Sequence, residues 1–164
     1  NDHSLRYTLH YGDFELDRDG YRRMHSAAVQ WVRRFGEQMR LNASAQGLRI
    51  RYRRDDVRDL SSDMLVLGVG GTYAFPWAIA SAGVLAGADD AVSGRPDGDR
   101  RLYGANAALQ QRLAERLEGY ASFSLLHSDY LGENAQFARK RRDRQYDAAI
   151  GLSWQVARGW FLRP

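Results

Sequence analysis

Cysteine is absent from the sequence. Thiolate zinc sites and disulfide frameworks are therefore excluded, and the side chains left to act as a neutral-pH base or nitrogen ligand are His3, His10, His25 and His127. None stands at the His-x-x-x-His spacing that puts two imidazoles on one helix face, so the expectation is no metal, no cofactor, and histidines that are solvated or face a lumen. Gly68, Gly70 and Gly71 resemble part of a phosphate loop but lack the Lys-Ser/Thr pair and the helix that such a loop needs. His127-Ser128-Asp129 sets a base, a hydroxyl and an acid side by side. Consecutive strand residues point to opposite faces, so these three are not expected to converge as a triad. No catalytic residue is assigned, and the chain is read as not an enzyme. The one functional feature singled out is Arg49, Arg51 and Arg53, alternating with Leu48, Ile50 and Tyr52. They are expected to line a lumen near its outer mouth, where a ring of arginines biases a pore toward anions or acidic chains. The plainer alternative is structural arginines paired with Asp from neighbouring strands.

The balance of charge narrows the partners. Net charge is +4, with 27% charged residues, but the arginines are spread along the chain among Asp and Glu. No nucleic-acid reading motif accompanies them, and no nucleic-acid partner is expected. Lipopolysaccharide and other outer-membrane lipid are the expected anionic surroundings. Hydrophobic residues make up 44%, which argues against disorder. The mean hydropathy of −0.57 does not argue against a membrane, because a barrel strand alternates lipid-facing and lumen-facing residues.

The elements that would position these residues are strands. Leu5, Tyr7, Leu9 and Tyr11 alternate with Arg6, Thr8, His10 and Gly12, the period-two signature. Asp17 to Gly20 reads as a polar loop. Ala27 to Val32 follows, then a turn at Gly36-Glu37-Gln38. Met39, Leu41, Ala43 and Ala45 are apolar against polar partners; after Gly47 the parity flips to Leu48, Ile50 and Tyr52, which predicts a β-bulge at Gly47. Arg54 to Asp63 reads as a polar loop.

Met64 to Ala88 carries no charge over about 25 residues, long enough for a membrane helix. Gly68, Gly70, Gly71 and Pro76 inside it would cost roughly 1 kcal/mol per Gly and about 3 for Pro in a helix. A hairpin is predicted instead, with Leu65–Tyr73 and Ala78–Ala86 joined by Phe75-Pro76-Trp77. Asp89 to Asp99 is a loop, and Tyr103 to Leu109 alternates. Ala108 to Leu117 fits a strand ending in a turn near Ala114-Glu115-Arg116, or an amphipathic helix with Leu109, Leu113 and Leu117 on one face. Ala121 to Leu125, a charged loop from Asp129 to Arg144, the clear strand Tyr146–Trp154, a turn at Ala157-Arg158-Gly159 and a last start at Trp160-Phe161-Leu162 complete the pattern.

Three features favour a membrane barrel over a soluble sheet. Short connections alternate with long polar ones, as periplasmic turns do with extracellular loops. Aromatics gather where strands meet turns: Trp31, Phe35, Tyr73, Phe75, Trp77, Trp154, Trp160 and Phe161 near short turns, and Tyr11, Phe14, Tyr52, Tyr103, Tyr130 and Tyr146 near long ones. One face of nearly every strand is small or polar, whereas a soluble sandwich fills its inner face with large apolar side chains. The fold class expected is all-β: an antiparallel up-and-down transmembrane β-barrel, with about eight strands and the start of a ninth present. The chain begins without Met and stops at Arg163-Pro164 in mid-pattern, so residues 1–164 are read as part of one barrel domain truncated at both ends.

The final stretch carries a resemblance. Arg141-Arg142-Asp143-Arg144-Gln145-Tyr146-Asp147 leads through Gly151 to Trp154, then to Gly159-Trp160-Phe161-Leu162-Arg163-Pro164. It resembles the C-terminal barrel domain of the surface lipoprotein assembly modifiers, in which a charged loop ends in an Arg/Asp-rich run, then Tyr-Asp-x-x-x-Gly-x-x-Trp, a short turn and Trp-x-Leu-Arg-Pro. The hairpin rhythm from about residue 5 onward is similar too. The resemblance implies a bacterial outer-membrane protein that helps lipoproteins or secreted partners reach the cell surface, with a tetratricopeptide-repeat domain upstream. This sequence has no such repeat of about 34 residues. The alternative function is a general or substrate-selective porin or a polysaccharide export channel, and a soluble β-sheet binding module is a third reading.

Overall fold

The computed structural model describes residues 2–16, 19–92, 94–95, 97–134, 138–157 and 160–162, the last three as backbone alone. Among them the chain forms one antiparallel sheet in sequence order: β1 (His3–Leu16), β2 (Asp19–Phe35), β3 (Met39–Tyr52), β4 (Ser62–Ala74), β5 (Ala78–Ala91), β6 (Arg100–Ala114), β7 (Leu117–Asn134), β8 (Arg139–Ala157) and the short β9 (Trp160–Leu162). A 3-10 turn at Asp55–Leu60 links β3 to β4. The architecture is an all-β up-and-down meander, and among the described residues no helix is long and apolar enough to cross a membrane.

The glycine-rich, charge-free segment is two strands and not a helix. β4 and β5 pair from Ser62↔Ala91 to Ala74↔Ile79, and the turn closes with the Phe75 N–H donating to the Ala78 carbonyl at 2.7 Å. The stretch Ala108 to Leu117, open between helix and strand, is strand on both sides of a tight connection, with Gln111 opposite Gly119 and Arg112 opposite Glu118.

Directly opposed residues share a face, so the register turns alternation along strands into rows across them. Leu5, Trp31, Ala43, Val69, Val84, Ala105, Leu125 and Tyr146 form one row from β1 to β8. Ser4, Val32, Asn42, Gly70, Gly83, Asn106, Ser124 and Asp147 form a row on the opposite face. The first face is open: Leu9 is 83% exposed and Ile150 87%. The second is more shielded, clearest in β4, where Met64, Val66, Gly68, Gly70 and Thr72 are half-buried while Leu65, Leu67, Val69 and Tyr73 are exposed. No second layer covers either face among the described residues, and the buried apolar side chains there are Ala78 and Leu102 alone. A soluble sandwich of this size would bury one face under another sheet.

Two expectations are corrected. No bulge occurs at Gly47. Pairing with β2 runs unbroken through Ser26↔Leu48, Ala27↔Gly47 and Ala28↔Gln46, and pairing with β4 through Gly47↔Leu65. Register shifts fall near strand ends instead, at Phe14/Glu15, Arg112/Ala114, Asp129/Glu133 and Gln155/Ala157. One polar stretch read as a loop is also largely paired strand: Asp129 to Arg144 is mostly the ends of β7 and β8, with Asn134 opposite Arg139, whereas Arg54 to Asp63 is a connection built on the 3-10 turn. The contrast between the two ends of the sheet thus lies partly in how far strands run past the apolar rows. Asp17, Arg18, Ser93, Pro96, Arg158, Gly159, Arg163 and Pro164, which belong to predicted turns, loops or the terminal motif, lie outside the described residues.

The register gives a direct test. Ser26→Cys with Leu48→Cys is expected to oxidise to a disulfide, since the two are opposed, and Ala27→Cys with Leu48→Cys is not. There is no native thiol to compete. Mass spectrometry of non-reduced peptides reads the outcome, and a bulge at Gly47 would set Leu48 against Ala27 and reverse it.

Candidate functional site

The shielded face is hollow because its central residues are small. A cavity of about 550 Å³ is lined by residues from β1 to β6, among them Arg6, Gln30, Asn42, Ser44, Gly70 and Asn106. The sheet must curl for side chains five strands apart to line one hollow. Glycines permit close approach there: a Cβ on Gly70 would lie 3.0 Å from the Ala82 carbonyl and 3.1 Å from Asn42 Oδ1, and one on Gly83 would lie 3.2 Å from Asn106 Oδ1. Gly68, Gly70 and Gly71 therefore sit in a strand that carries a polar trough, and form no phosphate loop.

Toward the end of the sheet where β1 meets β2 and β3 leads to β4, the same face becomes apolar. Met24 opposes Ile50, Leu48 opposes Met64, and Gly104 opposes both Leu85 and Leu126. Leu102 is buried there, as is Ser128. Asp89 lies among them, bound by Arg100 at 2.9 Å and only 13% exposed, and Arg100 stacks over the Tyr130 ring.

Arg49, Arg51 and Arg53 belong to the other face. Because the register is continuous, Arg49 opposes His25 and Asp63, and Arg51 opposes Arg23. They continue the line of Leu41, Ala43 and Ala45, on the side away from the trough. Expected to line a lumen, they are set by the register on the face opposite the trough, with Leu48 and Ile50 on the trough's face. All three are ion-paired with Asp on other strands. Arg49 Nε lies 3.1 Å from Asp63 Oδ1, and Arg51 reaches Asp63 Oδ2 at 2.8 Å. Arg51 also donates to the Ile50 and Ser62 carbonyls. Arg53 reaches Asp13 at 2.9 Å, a carboxylate shared with Arg23 at 3.5 Å and with the Tyr11 hydroxyl at 3.0 Å.

The pattern continues along the open face as Arg101–Asp90 at 2.9 Å and Arg142–Asp129 at 3.3 Å. An Arg/Asp belt therefore borders the apolar rows. Beyond those rows, the hydrogen bond from Arg51, reinforced by Arg49, holds the Asp63 carboxyl below the usual carboxylate range. The Tyr11 hydroxyl does the same for Asp13, aided by Arg53 and Arg23. Exposed pairs of this kind are screened by solvent and add little to stability, so stability alone gives little reason for so many.

His127 and Asp129 do touch, at 3.2 Å on the open face. Ser128 points the other way, so the three form no triad. Among the described residues no three His, Asp or Glu side chains gather as metal ligands. Sequence reasoning missed the partners Asp13, Arg23 and Asp63. The available signal was that each stands two residues past an outward position, at the strand end where the polar stretches begin.

The fold defines the chain as an antiparallel β-meander with one apolar face open and one small, polar face hollow. No protein-family model, curated protein or solved structure matches it.

Proposed function

We propose that the sheet is an arc of a bacterial outer-membrane β-barrel, with its open face against hydrocarbon and its hollow face lining the lumen. The supporting observation is the apolar surface continuing across eight strands with no layer over it among the described residues. In water this far exceeds the apolar patch a soluble monomer ordinarily exposes. In lipid the same exposure is favourable, and the strand ladder satisfies the backbone groups that hydrocarbon cannot. The arms Leu65–Tyr73 and Ala78–Ala86 match the about 9–11 residues of a tilted spanning strand. Tyr73, Phe75 and Trp77 stack in series at one border, with ring centroids 4.6 and 5.6 Å apart, and the Arg/Asp belt marks the other. Aromatics and charges at those two levels suit the two membrane interfaces. In this reading the free edges of β1 and of the β8–β9 end are paired by further strands of the barrel, because an open edge is not tolerated in hydrocarbon.

Within that class, the barrel assists surface display or secretion of lipoproteins or related protein cargo. This rests on the resemblance of the Arg141–Trp154 run to the surface lipoprotein assembly modifiers. A porin or polysaccharide export channel is the second reading. It is favoured by the amides and hydroxyls of Gln30, Asn42, Ser44, Thr72, Ser81 and Asn106 along the trough, which match sugar hydroxyls.

Two experiments test these readings. The full-length protein should fractionate with outer membranes and migrate differently on a gel when unheated. Phe123→Arg, mid-height on the open face, should impair insertion by about 2–4 kcal/mol, while Ser122→Arg on the lumen face should insert normally. Equal behaviour of the two would contradict the sidedness. Deleting the gene should remove a lipoprotein or secreted protein from the cell surface and leave solute permeability unchanged. Loss of sugar uptake or of polysaccharide export with surface proteins intact would favour the channel.

A further inference from the structure

We propose that the open face carries a binding site for a phosphorylated lipid, with the phosphate at Arg49, Arg51 and Arg23 and an acyl chain in the hollow beneath them. The inference rests on the membrane reading and deepens it by naming one lipid class and one place. Two independent observations meet there.

The first is charge. Arg23, Arg49, Arg51 and Arg53 share two carboxylates, Asp13 and Asp63. Four positive charges against two negative leave a surplus of two beside the apolar rows. Arg49 is the most open, with its side chain 62% exposed, while Arg51 is held at 31% by the carbonyls it binds. A guanidinium offers a planar donor fork that suits phosphate oxygens. On a lumen wall such a surplus would select solutes. Here it points outward, at the level where a bilayer presents headgroups.

The second is shape. Directly below, Ala27 opposes Gly47, a pair with almost no side chain. A Cβ on Gly47 would meet nothing within 4 Å. The result is a hollow of about 780 Å³ walled on this face by Leu9, Tyr11, His25, Arg49 and Asp63. Its floor is apolar and its rim basic, the layout of an amphiphile whose hydrocarbon lies down the sheet and whose anion sits at the top. Free phosphate would use the rim alone; a phosphorylated lipid uses both.

The test uses the full-length protein in phosphatidylcholine vesicles doped with lipid A or with enzymatically dephosphorylated lipid A, and inorganic phosphate as a soluble competitor. Retention of each lipid after mild detergent extraction is read by native mass spectrometry. Lipid A is expected to bind about tenfold tighter than its dephosphorylated form. Arg49→Gln with Arg51→Gln should abolish that preference, and Asp63→Asn, which removes the carboxylate that competes for both guanidiniums, should keep or raise it. Gly47→Leu fills the hollow without touching a charge and should weaken lipid A several-fold, while Arg6→Gln on the opposite face should change nothing. Equal retention of the two lipids, or indifference to the double arginine variant, overturns the site. Competition by inorganic phosphate together with indifference to Gly47→Leu overturns its assignment to a lipid. If the protein enters neither kind of vesicle, the membrane reading itself falls and the site with it.

Discussion

The ladder of backbone hydrogen bonds from β1 to β8 decides which side of the sheet each residue faces, and everything else in the molecule depends on that register. A strand slipped by one residue would carry every side chain to the opposite face. The pairings from Leu5↔Trp31 to Leu125↔Tyr146 instead line up apolar side chains eight strands deep. The hollow face is the other half of the same constraint. Where Gly70 opposes Gly83 and Asn42 opposes Gly70, no large side chain is left to fill the curl, and amides and hydroxyls line it.

Much of the fold was legible because period two is hard to imitate. The hairpin inside residues 64–88 followed from glycines and a proline that a helix would not tolerate, and the strand Tyr146–Trp154 followed from alternation alone. The parity change at Gly47 was real in the sequence but was assigned the wrong cause. Below Gly47 the outward residues of β3 are Leu41, Ala43 and Ala45; above it they are Arg49 and Arg51, and the apolar residues are the inward Leu48 and Ile50. The same inversion occurs on β2 with Met24 inward and Arg23 outward, on β6 with Leu102 and Arg101, and on β7 with Leu126 and Asp129. An inversion at one height on several strands reflects a change of surroundings, not of register. One strand read by itself cannot separate that from a bulge, because both give the same residue pattern.

The candidate site was legible in its residue types and less so in its placement. Arg49, Arg51 and Arg53 stand out in sequence, but their Asp partners lie on other strands, Asp13 two strands back and Asp63 on the next, and only the register brings them together. The turnover from outward apolar to outward charged residues also gives the sheet a direction. One end carries the Arg/Asp belt and the longer strand extensions, and the other carries Tyr73, Phe75 and Trp77. The proposed orientation, lipid contact and cargo role all follow from which face meets hydrocarbon.

That point can be measured on a single strand. Cysteines placed one at a time from Tyr146 to Trp154 of the membrane-reconstituted full-length protein, each labelled with an environment-sensitive fluorophore, can be probed with a lipid-borne and a water-soluble quencher. The account predicts that Tyr146, Ala148, Ile150 and Leu152 respond to the lipid quencher, and Asp147, Ala149, Gly151 and Ser153 to the aqueous one. Uniform quenching from water at all these positions, or a reversed alternation, would contradict it.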